Sequence, residues 1–184
     1  CITAKQNGTI SGLKVAENII KNHSNIQYTL LKSDGDSIQN NQKIMTMQGK
    51  SIEILKLERT ILNFLQQLSG VATITNKYVN MVKPYGCQIL DTRKTIPGLR
   101  SLQKKAVLDG GGHNHRIGLF DAILIKENHI KAAGSIKKAM ERIKKSNTYK
   151  DLKGSAGFFI EVETETLQEV KEACAAGADI VMLD

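Results

Sequence analysis

Tryptophan is missing from this chain of 184 residues, and Phe and Tyr bring the aromatic share to only 4%. Base-stacking platforms are built from aromatic side chains. A nucleic-acid partner is therefore not expected, although the formal net charge is +8, from 26 basic and 18 acidic residues. Cysteine is also sparse. Cys1, Cys87 and Cys174 lie far apart and form no CxxC pair, and an odd count cannot close a disulfide framework. A reducing, cytoplasmic compartment is the simplest expectation. No apolar run approaches the ~20 residues of a membrane helix, no signal peptide is apparent, and no membrane partner is expected. The first residue is Cys rather than Met, and Asp184 ends an apolar run, so the stretch is expected to be a segment of something longer.

Hydrophobic residues make up 41% of the chain, enough for one sizeable core. Residues 1 to about 50 are rich in Asn, Gln and Ser, with short apolar runs at Tyr28–Leu31 and Lys43–Met47. Turn signals at Asn7-Gly8, Ser33–Asp36, Asn40-Asn41 and Gln48-Gly49 punctuate them. This predicts short strands in a small, partly open sheet, with a helix near Lys14–Asn22. From Ile52 to Val82 the period is helical: Ile54, Leu57, Ile61, Leu65 and Leu68 share one face. Gly70 is expected to break or join two helices there, and Lys83–Gly86 to end the region.

Beyond that point strands and helices alternate. Strands are expected at Gln88–Leu90, Ala122–Ile125, Phe158–Val162 and Ile180–Leu183. Helices are expected at Leu99–Leu108, Ser135–Lys145 and Thr166–Ala175, and Lys144–Lys150 reads as a solvated loop. Such alternation implies parallel βαβ units. The fold class is thus α/β: an incomplete β/α barrel over 87–184, preceded by part of a small open α/β sandwich with its helical connection over 1–86.

Charged residues stand directly after the apolar runs of the second half, where buried strands emerge and ligands bind. Asp91-Thr-Arg-Lys94 offers the Arg93 fork for a carboxylate and the compact Lys94 charge for a phosphate. Gly110-Gly-Gly-His-Asn-His-Arg116 follows a helix. Its glycines either let the backbone approach a ligand or end that helix; Arg116 adds a cation and His115 a hydrogen-bond donor. His113 and His115 alone supply too few ligands for a metal. Lys126-Glu-Asn-His129 follows the next strand, with Lys126 either binding an anion or forming a Schiff base. Glu161 and Glu163 share a strand face, and Asp184 ends the following strand; such carboxylates hold Mg²⁺, directly or through water, or bind sugar hydroxyls. Gly49-Lys50-Ser51 resembles the tail of a P-loop, but Ile44 stands where the earlier glycine is needed. Met45 and Met47 read as core or edge packing.

Taken together, the motifs resemble quinolinate phosphoribosyltransferase, the carboxylating nicotinate-nucleotide pyrophosphorylase. The resemblance rests on Glu58-Arg-Thr, Asn63-Phe-Leu, Leu68–Ala72, Asp91–Arg100, Gly110–Arg116, Ile125–His129, Ile160–Glu163 and Val181–Asp184. It covers most of the chain from Ile52 onward; residues 1 to 50 match the small domain only loosely. It implies transfer of a phosphoribosyl group from phosphoribosyl pyrophosphate to quinolinate, with loss of pyrophosphate and CO₂, giving nicotinate mononucleotide for NAD synthesis. It also implies a homodimer in which Arg59 reaches the partner's site, with Mg²⁺ as cofactor. By the same resemblance, Arg59, Arg93, Arg116 and Lys126 hold the quinolinate carboxylates with His115 beside them. Lys94 contacts phosphoribosyl pyrophosphate, Glu163 and Asp184 contact the ribose and Mg²⁺, and His113 has no role. The family pattern continues past Asp184 with strands and glycine-rich loops that grip the ribose 5-phosphate.

Three other readings compete: a ModD-like transferase of the molybdenum-associated group with another substrate, a Schiff-base β/α-barrel lyase using Lys126, and a basic nucleic-acid-binding module.

Overall fold

The structure, a computed structural model, describes residues 1–23 and 25–184. Two compact units divide the chain, Cys1–His115 and Arg116–Asp184.

The first unit opens with β1 (Ile2–Thr3), β2 (Gly8–Thr9), α1 (Leu13–His23), β3 (Gln27–Leu30), β4 (Ser37–Ile38) and β5 (Lys43–Gln48). β1 and β3 flank β5 in an antiparallel sheet, while β2 pairs with β4. The carboxylate of Asp34 caps α1, accepting from the Leu13 amide at 2.7 Å. Ile10, Leu13, Ala16 and Ile20 pack with Ile44 and Met45 of β5 and with Ile61 and Leu65 of the long helix that follows.

That helix, α2 (Ser51–Val82), runs unbroken through Gly70, contrary to the expected break. An isolated glycine costs a helix about 1 kcal/mol. The buried row Ile61, Leu65, Leu68, Ala72, Thr75 passes on both sides of it; burial of such a face outweighs one unfavourable residue. A 3₁₀ turn over Lys83–Tyr85 then ends on Gly86, in the left-handed region at φ 67°.

α3 (Arg100–Asp109) packs on α2. The first compact unit consequently runs on past 86/87, where the helical pattern of the sequence ends, to His115. The strand expected at Gln88–Leu90 is reduced to a single parallel bridge, Leu90 to His113. Gln88 and Leu90 are exposed, so little apolar burial is available to extend the ladder.

The second unit holds β6 (Ile123–Ile125), α4 (Glu127–Ala133), α5 (Ile136–Lys145), α6 (Asn147–Leu152), β7 (Ile160–Thr164), α7 (Leu167–Ala176) and β8 (Ile180–Leu183). Its strands form a parallel sheet in the order β6-β7-β8. Ser135 and Thr166 cap α5 and α7, and Gly177 closes α7 at φ 78°. The loop expected over Lys144–Lys150 is instead the end of α5 and the start of α6. The Ser146 hydroxyl joins them: it donates to the Ile143 carbonyl at 2.7 Å and accepts from the Tyr149 amide at 3.2 Å. β7 begins two residues later than the apolar run suggests, since Phe158 and Phe159 precede its ladder.

Ile125, Ile160 and Val162 pack with Ile136, Ala139, Met140 and Ala173 in a second core. Side chains alternate along a strand, so the pairings Leu124–Glu161 and Glu163–Met182 belong to the opposite face of the sheet.

Candidate active site

Lys126 immediately follows β6, Glu163 lies near the end of β7, and Asp184 immediately follows β8. In register, Ile125 pairs with Val162 and Glu163 with Met182. Lys126, Glu163 and Asp184 therefore occupy the same face at the carboxyl ends of three neighbouring strands, where open parallel sheets present their ligand sites. Lys126 Nζ donates to Glu163 Oε2 at 2.5 Å. The Asp184 amide donates to the Thr164 carbonyl at 3.0 Å, which extends the β7–β8 ladder to the residue that bears the carboxylate. Glu161, one layer deeper on the same face, is buried.

His129 has a structural task that the sequence reading missed. Its Nδ1 accepts from the Lys126 amide at 3.0 Å, and its own amide donates to the Lys126 carbonyl at 2.8 Å. This reciprocal pair caps α4 and sets the backbone that carries Lys126. The spacing of three between Lys126 and His129 was the available signal, but His is not a usual partner in that motif.

Arg116, in the same unit, is buried with 7% of its surface exposed, and Nη1 donates to the Ala122 carbonyl at 3.5 Å just ahead of β6. The Asp121 carboxylate closes the intervening turn, accepting from the Ile117 amide at 2.6 Å and the Gly118 amide at 2.9 Å.

The remaining candidates belong to the first unit. Arg93 is half-buried and Lys94 exposed, on the loop after the Leu90 bridge. The Lys94 amide donates to Thr92 Oγ1 at 3.0 Å. Arg100 holds the Arg93 carbonyl through Nη2 at 3.4 Å and Thr95 Oγ1 through Nε at 3.2 Å. A cleft of about 220 Å³ opens beside this loop, lined by Val71, Asp91, Thr92, Lys94, Gln103 and Lys104. His115 is half-buried, and its amide donates to Asp91 Oδ1 at 2.8 Å. Arg59 is exposed on α2. A larger cleft of about 320 Å³, lined by residues such as Ile2, Ala4, Ile10 and Leu65, is mainly apolar and holds none of these residues.

The glycine run is not a phosphate cradle. The amides of Gly110, Gly111 and Gly112 donate to the carbonyls of Ala106, Leu108 and Val107, which ends α3. A Cβ on Gly110 would collide with the Ala72 carbonyl, and one on Gly112 would lie 2.8 Å from Thr75 Cγ2. These glycines allow the end of α3 to lie against α2.

The chain matches the domain family "Quinolinate phosphoribosyl transferase, C-terminal domain" over residues 71–184 and its N-terminal counterpart over residues 1–69. The chain belongs to the quinolinate phosphoribosyltransferase family. It is 42% identical over 186 residues to the protein named "Probable nicotinate-nucleotide pyrophosphorylase (carboxylating)" of Bacillus subtilis (strain 168), covering 100% of this chain and 61% of that one. The solved nicotinate-nucleotide pyrophosphorylase from Francisella tularensis superimposes with a TM-score of 0.91 at 48% identity, over 99% of this chain and 62% of its own. NadC from Streptococcus pyogenes does so with a TM-score of 0.89 at 38% identity, over 99% and 62%. The chain thus spans about three fifths of the length of these relatives. The α/β class, with a small sheet domain ahead of a β/α region, is that of the family. Among the described residues, no helix is long and apolar enough to cross a membrane.

Proposed function

We propose that this chain is the portion of a quinolinate phosphoribosyltransferase that binds the pyridine dianion and the ribose. The reaction joins quinolinate and phosphoribosyl pyrophosphate and yields nicotinate mononucleotide, pyrophosphate and CO₂. The supporting observation is the shared strand-end face of Lys126, Glu163 and Asp184, where a cation for a carboxylate stands beside two carboxylates for a sugar.

Arg93, Arg116 and Lys126, with His115, are assigned to the two quinolinate carboxylates, which suit guanidinium forks and ammonium donors. Lys94 is assigned to phosphoribosyl pyrophosphate. As pyrophosphate departs, positive charge grows on the ribose, and the carboxylates of Glu163 and Asp184 stabilise it electrostatically. The pyridine nitrogen forms the new bond to the ribose carbon and becomes positive. The adjacent carboxylate then leaves as CO₂, its bonding pair remaining on the ring carbon beside the cationic nitrogen until a proton replaces it. No protein nucleophile is needed, and the contact of Lys126 with Glu163 supports a donor's part for Lys126.

Glu163 and Asp184 present oxygen donors of the kind Mg²⁺ takes. Among the described residues no three His, Cys, Asp or Glu side chains gather into a cage. Glu163 and Asp184 are the residues assigned to Mg²⁺, directly or through water; the ion would offset charge on pyrophosphate.

Arg59 is assigned to a second subunit's site, in keeping with its exposure on α2. The proposed setting is the cytoplasm. The decisive experiment follows pyrophosphate and CO₂ release from quinolinate by this segment and by the full-length protein. Absence of both products from the longer protein would overturn the proposal. For the dimer, mixing inactive Arg59→Ala and Lys126→Ala proteins should restore turnover, and a mixture that stays inactive removes Arg59 from the partner's site.

A further inference from the structure

Lys104 and Asp91 form an ion pair whose side chains are only 3% and 6% exposed. Neither has a part in the proposed reaction. Burying two opposite charges is a weak source of stability, since well-packed apolar residues often serve as well. The useful question is what this pair does that apolar residues could not.

The geometry answers it. Asp91 Oδ1 accepts from the His115 amide at 2.8 Å, while Lys104 Nζ donates to the His115 carbonyl at 2.9 Å. The same ion pair thus grips both backbone polar groups of one residue. Asn114, with its amide nitrogen facing inward, donates to Asp91 Oδ2 at 2.6 Å and to the Lys104 carbonyl at 3.0 Å. The backbone continues the lattice: the Asp91 amide donates to the His113 carbonyl at 3.1 Å and the His113 amide to the Ile89 carbonyl at 2.8 Å. Asp91 lies two residues before Arg93 and three before Lys94.

We infer that Asp91 and Lys104 are positioning residues, a buried clamp that holds His115 in register with the loop bearing Arg93 and Lys94. The inference rests on the proposed transferase reading for its catalytic consequence, and on the geometry alone for its mechanical one. A hydrocarbon pair would fill the same space but could neither accept from the His115 amide nor donate to its carbonyl. Misplacing a binding group by about 1 Å can cost about 100-fold in rate.

The test uses the full chain and the double variant Asp91→Leu/Lys104→Met, which removes both buried charges, leaves none unpaired and takes away the acceptor to the His115 amide. Three readouts are taken: the thermal melt, kcat per folded molecule, and hydrogen exchange at the His115 amide. The variant should melt cooperatively, exchange its His115 amide faster, and lose about 100-fold in kcat. A merely structural role would lower the folded fraction but not the turnover of the folded molecules. A folded variant with unchanged kcat or unchanged His115 protection overturns the clamp. If the double variant fails to fold, Asp91→Ala/Lys104→Met, which also removes both charges and the acceptor to the His115 amide, supplies the same readouts against the same criteria. Should the unaltered protein show no turnover, the transferase reading fails, and the His115 exchange rate still decides the clamp.

Discussion

Lys126 Nζ lies 2.5 Å from Glu163 Oε2, bridging the ends of the adjacent parallel strands β6 and β7. This pairing supports the donor role proposed for Lys126 over the Schiff-base alternative. Sodium borohydride added during turnover should leave the mass of Lys126 unchanged, while Lys126→Ala should weaken quinolinate binding by about 10-fold or more, the loss of one charge-assisted contact. A reduced substrate adduct on Lys126, found by peptide mass spectrometry, would reinstate the lyase.

Arg116 and Asp184 should separate by substrate. Removing the buried Arg116 fork in Arg116→Ala should raise the quinolinate Kd by about 10- to 100-fold, as measured by calorimetry, because charged hydrogen bonds contribute about 1.5–3 kcal/mol. Asp184→Asn should instead depress kcat/KM for phosphoribosyl pyrophosphate and leave quinolinate affinity within about 3-fold, well under one tenfold step. Equal effects of the two changes on both substrates would refute the assignment.

Gly112→Ala should destabilise the first unit by about 1–3 kcal/mol, the usual cost of an overpacked site. The added methyl would lie 2.8 Å from Thr75 Cγ2 and 2.9 Å from Val107 Cγ1, at a place where the chain cannot easily yield. Urea denaturation measures this directly. An unchanged midpoint would show that the α2–α3 contact is looser than described.

A pH effect is expected at the surface of the small domain. Tyr28 donates to Glu17 Oε1 at 2.7 Å, and Lys21 pairs with the same oxygen at 2.9 Å. The Tyr28 hydrogen bond, followed by that of Lys21, holds the Glu17 carboxyl below its ordinary value of 4.5. A carboxyl depressed by folding adds stability that is present above its unfolded value and lost as the pH falls through the folded one. The stability advantage of the natural protein over Tyr28→Phe should accordingly be small but measurable at neutral pH and shrink below about pH 4.5, the ordinary value. Urea midpoints at pH 7 and pH 3 provide the comparison; an advantage that grows on acidification would contradict this.

Much of the fold was legible because its signals are local. The apolar row of α2 and the stop at Gly86 stand where the sequence places them, and α5 and α7 fall on their expected ranges to within a residue. Failures arose where a distant partner decided the outcome. Gly70 does not break α2 because burial of the helix face on either side outweighs its cost. Gln88–Leu90 has strand-like residues but only one bridging partner, at His113. Asp91 and Lys104, thirteen positions apart, gave no sign of pairing, since an isolated charge looks the same whether it will be solvated or buried.

The site divides along the same line. The amino-acid order alone determined which residue types follow each apolar run, and hence that cations and carboxylates sit at strand ends, because buried strands exclude charge from their interiors. Only the tertiary structure decided which of those charges meet. Parallel register brings Lys126 onto Glu163, a contact that sequence spacing does not encode. The close approach of α3 to α2 turned the glycine run into a packing device. Which partner a side chain finds depends on the fold that carries it, and that fold depends on burial summed over the whole chain.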